Sequence, residues 1–195
     1  MPDERPKVPI ILEAATGILR DQGDSGLTMR KVAQRAGISL GHLQHYFPNK
    51  NEILKGLVST HFGLCISALR EHVASENATE PDRLVSNLVD FGFSYVGDGF
   101  SETCRVFREL WALSSRNPEV RTHLDAYYRE YGAILVDLLS PAAESPEAAR
   151  RAVVLLLPWF EGYSVTAAAV TALGMDEEEI ASQLTDSVMA ALGGE

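Results

Sequence analysis

Along most of this chain apolar residues recur at intervals of three and four, the spacing of a helix that buries one face. Val8, Ile11, Leu12, Ala15 and Leu19 share one side of a first predicted helix, and the turn-rich run Gly23-Asp24-Ser25-Gly26 ends it. Thr28 is placed to cap a short second helix whose inner side carries Val32, Ala33 and Ala36. Gly37 stops that helix, because glycine accepts the left-handed backbone of a tight exit. Ser39 is placed to cap a third, Leu40–Phe47, ended by Pro48-Asn49. A long fourth follows with Ile53, Leu54, Leu57, Val58, His61, Phe62 and Cys65 in helical register. Further helices are predicted at about Pro81–Val96, Glu102–Ser115, Pro118–Leu139, Glu147–Leu173 and Glu177–Leu192. Pro81, Pro118 and Pro146 fall at helix starts, where a missing N–H costs least. Pro158 lies inside a helix and is expected to kink it.

No period-two alternation is long enough to compete, so the predicted fold is all-α, with about nine helices. Residues 1–50 form a three-helix segment, and 51–195 a larger helical bundle. The hydrophobic content of 46% and charged content of 23% are those of a folded chain. The stretch Val153–Val170 is long and apolar, but Pro158, Glu161 and Gly162 interrupt it, so it reads as a buried helix and no membrane span is expected. Met1–Val8 has charges of both signs and no apolar run behind it, which implies a cytoplasmic protein. Cys65 and Cys104 each sit in an apolar-periodic segment without metal-ligand spacing; they read as buried thiols, and neither metal nor cofactor is expected.

Charge changes the picture. The net −10 is uneven: residues 1–55 hold eight Lys/Arg against six Asp/Glu, and the rest nine against twenty-one. Within Thr28–Lys50 stand Arg30, Lys31, Arg35 and Lys50 and no acid. A basic window on an acidic protein suits a compact phosphate-binding module, since duplex affinity comes from neutralising phosphates at the contact surface.

The second and third helices, joined by Gly37-Ile38-Ser39, have the length and punctuation of a helix-turn-helix. Leu43 and Phe47, four apart, face inward, which turns Gly41, His42 and His45 outward and puts Gln44 and Tyr46 on the flanks. Gln and His can bond base edges, Tyr can bond phosphate, and Gly41 permits close backbone approach. Arg30 lies within reach of the groove edge, and Lys50 begins the fourth helix, whose N-terminus attracts phosphate.

The run TMRKVAQRAGISLGHLQHYFPNK of Thr28–Lys50, followed by Glu52-Ile53-Leu54, resembles the DNA-binding segment of TetR-family regulators over about 45 residues. The resemblance implies that Arg30, Leu40, Gly41, His42, Gln44 and His45 approach bases, and that Thr28, Tyr46 and Lys50 meet phosphates. Gln44 stands where the family commonly has an aromatic residue, so operator contacts differ here. The resemblance further implies a repressor that binds a palindromic operator as a homodimer and releases it when a small molecule occupies the larger domain.

That larger domain carries no sharp motif. The almost uniformly apolar Ala152–Leu173 needs cover on more than one side, and the last helix adds a stripe of Ile180, Leu184, Val188, Met189 and Leu192. A two-fold dimer through these last two helices would supply the cover. Aromatic residues on several helices, Phe62, Phe91, Tyr95, Phe107, Trp111, Tyr127, Tyr131, Trp159, Phe160 and Tyr163, are candidates for lining a ligand cavity. Glu161, a carboxylate in an apolar helix, is either paired with Arg105 or Arg108 or recognises a ligand, and aromatic rings beside a carboxylate suit a cationic one. The stretch PWFEGY, Pro158–Tyr163, resembles the matching helix of regulators that respond to choline-type compounds.

An all-helical enzyme is the rival from another class. Its candidate groups, Glu161, His123 and Asp125 or His61 and Glu109, form no nucleophile–base set, so no enzyme is expected. The alternative within binding proteins is a protein–protein adaptor whose helix-turn-helix does not bind DNA.

Overall fold

The computed structural model describes residues 6–76, 80–96 and 102–193, and every regular element among them is helical. They are α1 (Lys7–Gly26), α2 (Met29–Arg35), α3 (Leu40–Tyr46), α4 (Lys50–Glu76), α5 (Pro81–Val96), α6 (Glu102–Ser114), α7 (Pro118–Leu139), α8 (Pro146–Thr171) and α9 (Glu177–Leu192), with a single 3-10 turn at Ser140–Ala142 that the spacing did not predict. The all-α expectation holds, and Pro81, Pro118 and Pro146 are each the first residue of their helix.

The short helices form because their ends are chemically defined. The Thr28 hydroxyl accepts the Lys31 amide at 3.3 Å and the Ser39 hydroxyl accepts that of His42 at 3.2 Å, so each satisfies an amide that its helix cannot. Between them Gly37 takes φ +67°, as a left-handed helix exit requires. The Asn49 side chain accepts the Glu52 amide at 3.0 Å at the start of α4. The predicted stop of α1 appears as a kink: Gly23 has φ 64° and ψ −169°, and one further turn runs on to Gly26. α8 continues through Pro158, whose absent N–H leaves the Val154 carbonyl without its helical donor on an exposed face.

The chain divides into two compact units. The first takes residues up to Gly63 together with Arg105–Tyr127, and its core includes Ile11, Ile18, Leu19, Leu27, Leu43, Ile53 and Leu54, all nearly inaccessible. The second takes Leu64–Cys104 with Tyr128–Glu195, where α5, α8 and α9 pack together around residues such as Leu88, Leu156, Val188 and Leu192. α4 is one helix whose residues to Gly63 belong to the first unit and from Leu64 to the second. By length and composition its stretch Lys50–Val73 would cross a bilayer, but Ile53, Leu54, Leu57, Val58, Phe62, Ile66 and Leu69 are buried in the protein at helical spacing, as in a core helix. Gly92 lets α5 approach α8: a Cβ there would overlap the Phe160 ring.

Candidate nucleic-acid interface and ligand-recognition groups

The third helix is anchored by Leu43 (0% exposed) and Phe47 (8%), and that anchoring decides what it shows to solvent. Gly41, His42, Gln44, His45 and Tyr46 are exposed and Leu40 is half-buried. The Tyr46 ring lies 5.5 Å from both the His42 and His45 rings, giving a continuous hydrogen-bonding and aromatic face with no acid on it. Arg30 is exposed on the first turn of α2. Thr28 keeps its hydroxyl proton to donate while its oxygen caps α2. This surface matches the sequence expectation residue by residue in exposure, and it can present donors and acceptors to base edges and phosphates.

The structure adds a feature that the sequence pattern did not show. Three of the four basic side chains of the window are held by the end of α1. Lys31 Nζ donates to the Gln22 side chain at 2.7 Å, and Arg35 Nη1 donates to Asp21 at 3.2 Å. Lys50 Nζ pairs with Asp24 Oδ1 at 2.5 Å and also donates to the Asp24 carbonyl at 2.8 Å. Hydrogen bonds from Arg20 and then Arg35 hold the exposed Asp21 carboxyl below the usual carboxylate range.

The candidate ligand residues do not form one group. In the first unit Phe62 stacks on Tyr127 with ring centroids 3.7 Å apart and meets Phe107 edge-on at 5.3 Å. His61, which the aromatic inventory missed, joins them 6.1 Å from Phe107, and burial pushes it down to about 4, so it is neutral at pH 7. In the second unit Phe91 is buried beside His72 at 5.2 Å. Trp159 stacks on Tyr163 at 4.8 Å, and Phe93, also absent from the inventory, packs against both rings. The side chains of Tyr95 and Cys104 are not among those the structure describes. Trp111 corrects the expectation of an inward ring: it is 54% exposed, because Val106, Leu110 and Leu113 take the buried face of α6.

Glu161 accepts a hydrogen bond from the Tyr128 hydroxyl, a neutral donor. Burial raises its pKa from 4.5 to about 7, against the opposing pull of that hydrogen bond. The Tyr131 hydroxyl, buried and facing Glu161 and Cys65, is pushed well above its ordinary value, first by burial. Tyr128 was missed because the sequence gives no sign of which neighbour on α7 meets α8.

The last helix also departs from expectation. Ile180, Leu184, Val188 and Leu192 are buried inside their own unit, against α5 and α8, and are not available to a second copy. The outward apolar residues lie on α8 instead: Val154 (69% exposed), Leu155 (42%) and Val165 (64%). Between α8 and α9 runs a concavity of about 650 Å³, with Val154, Leu155, Ala190 and Ala191 on its walls and Glu147, Arg150 and Arg151 at its polar end.

Comparison with known proteins agrees with this geometry. Residues 11–57 match the bacterial regulatory proteins of the tetR family, and residues 81–193 match the C-terminal part of BetI-type transcriptional repressors. The chain is 34% identical over 190 residues to an HTH-type transcriptional regulator in the dhlA 5′ region of Xanthobacter autotrophicus, covering 95% of this chain and 90% of the relative. It is 30% identical over 152 residues to the HTH-type transcriptional regulator BetI of Rhizobium meliloti, covering 75% and 72%. Salmonella enterica GusR shares the fold, with a TM-score of 0.77 and 21% identity over 98% of both chains. An exposed reading helix on a capped helix-turn-helix, matched along with the helical part beyond it, leaves one conclusion: the chain belongs to the TetR family of DNA-binding transcriptional regulators, with a BetI-type C-terminal part, and is not an enzyme.

Proposed function

We propose that this chain is a cytoplasmic repressor that grips a palindromic operator as a homodimer and lets go when a small cationic molecule binds in its larger domain, residues 51–195. The observation that carries the reading is the acid-free exposed face of α3, flanked by Arg30 and by Lys50 at the start of α4. On it His42, Gln44 and His45 contact base edges, Gly41 and Leu40 allow close approach, Arg30 reaches into the groove, and Thr28, Tyr46 and Lys50 bind phosphates. Dimerisation is supported by the exposed apolar stripe of α8, Val154, Leu155 and Val165, which a second copy would cover. Two reading helices one DNA turn apart, ~34 Å, then fit two half-sites.

Glu161 is the recognition group in this reading. Its partner, the Tyr128 hydroxyl, brings no positive charge, so a cation at the carboxylate would supply it. Phe91 and Trp159, in the same unit as Glu161, remain candidate ring neighbours, whereas Phe62, stacked on Tyr127 and edge-on to Phe107, belongs with them to the other unit. Release is a population shift: a ligand that prefers the non-binding arrangement by ~1.4 kcal/mol relieves binding tenfold. α4, unbroken from the phosphate-binding Lys50 to Glu76, is the connecting lever.

The test is selection of duplexes from a random DNA pool by the wild type and by Arg30→Ala and Gln44→Ala. An enriched palindrome, lost or relaxed in the variants, is expected. No enrichment even at low salt would transfer the assignment to a protein–protein adaptor.

A further inference from the structure

The clasp at the end of α1 has no part in reading bases, yet it acts on the groups that bind DNA. Its strongest member is Asp24. The Lys50 ammonium donates a hydrogen bond to the Asp24 carbonyl at 2.8 Å and is ion-paired with the Asp24 carboxylate, Oδ1 lying 2.5 Å from Nζ. The pair is partly withdrawn from water, with side-chain exposures of 34% and 30%. Asp24 is brought there by the kink at Gly23, whose φ of 64° is one that a side chain would strain. Glu109 of α6 covers that kink, its Oε2 only 3.3 Å from where a Cβ would stand. Lys31 and Arg35 are held in the same way by Gln22 and Asp21, and among the described residues Arg30 is the one basic group of the window with no side-chain partner.

We propose that Asp24 competes with the DNA backbone for Lys50 and so restrains the affinity of this protein for duplexes of any sequence. The proposal rests on the reading of Lys50 as a phosphate contact. If Lys50 stays with Asp24 on binding, one phosphate goes without its cation. If Lys50 leaves, a half-buried carboxylate is left uncompensated. Either way the duplex is held less tightly than the basic count of the window implies, which limits idle binding to non-operator DNA.

The experiment is fluorescence anisotropy with a random-sequence duplex between 50 and 200 mM salt, using wild type, Asp24→Asn, Lys50→Gln, the double variant, and Glu13→Gln as a charge control on the exposed side of α1. Asp24→Asn is expected to bind more tightly, with the log K against log salt slope steeper by about 0.9, so that its advantage shrinks about 3.5-fold across that salt range. Lys50→Gln is expected to weaken binding and flatten the slope by about 0.9. In the Lys50→Gln background the gain from Asp24→Asn falls to that of Glu13→Gln. Weaker binding by Asp24→Asn, or a gain undiminished without Lys50, overturns the competition. If Lys50→Gln changes nothing, the phosphate reading falls and the proposal with it. Asp24→Ser serves as a second variant, with unfolding midpoints confirming that each protein is folded.

Discussion

Replacing Glu161 with glutamine tests how this carboxyl is held. Burial raises its pKa from 4.5 to about 7, so the folded protein keeps a proton that the unfolded chain has already released. The sign follows: the protonated carboxyl is fully compatible with the fold below pH 4.5, and stability is lost as pH rises from there through 7. At 1.36 kcal/mol per pH unit the loss has a ceiling of about 3 kcal/mol, and because the side chain keeps some exposure about 2 kcal/mol is the working expectation. Glutamine has nearly the shape of the protonated acid and carries no charge. The variant is therefore expected to match the wild type near pH 4.5 and to be more stable by about 2 kcal/mol at pH 8. Urea unfolding at fixed protein concentration, repeated from pH 4.5 to 8, reads this directly, and the difference between the two proteins matters rather than either curve alone. His61 acts with the opposite sign over much of the same range and flattens the wild-type profile. A pH-independent difference, or a variant less stable at pH 8, would show that Glu161 is already ionised beside a compensating cation.

Two further substitutions probe the packing. His61 is held neutral by burial, its pKa lowered from 6.5 to about 4, so its contribution is present above pH 6.5 and is lost as pH falls toward 4. His61→Gln is expected to lose about 2 kcal/mol less than the wild type between pH 7 and 4.5 in urea titrations, and parallel acid limbs would contradict that. Gly92→Ala gains up to about 1 kcal/mol of helix propensity yet must displace the Phe160 ring, so a net destabilisation of about 1–3 kcal/mol is expected, seen as a lower Tm. An unchanged or raised Tm would mean that α5 and α8 have room to separate.

Helix positions and the exposed face of α3 were legible in the chain because their causes are local. Apolar spacing selects the buried side of each helix, and Thr28, Ser39 and Gly37 act on backbone groups within a few residues of themselves. Once Leu43 and Phe47 are known to face inward, about 100° per residue places His42, Gln44 and His45 outside without further information. The same rule could not say which apolar stripe meets which. The stripe of α9 proved to be interior to its own unit, and that of α6 turned Trp111 outward, because those outcomes depend on which helices pack together.

Tertiary structure alone decided the charges. In the sequence Lys31, Arg35 and Lys50 form a basic window without an acid, but Asp21, Gln22 and Asp24 lie seven or more residues upstream, and only the packing of α2 against α1, with the kink at Gly23 just before Asp24, brings them onto those cations. Glu161 is an acid in an apolar helix in either description, yet its partner depends on α7 placing Tyr128 beside it, and its proton on the burial that packing imposes against that hydrogen bond. Backbone preference acts over a few residues and can be read along a chain; Coulomb forces and desolvation act through space between residues distant in sequence, and they take their values only when the helices have packed.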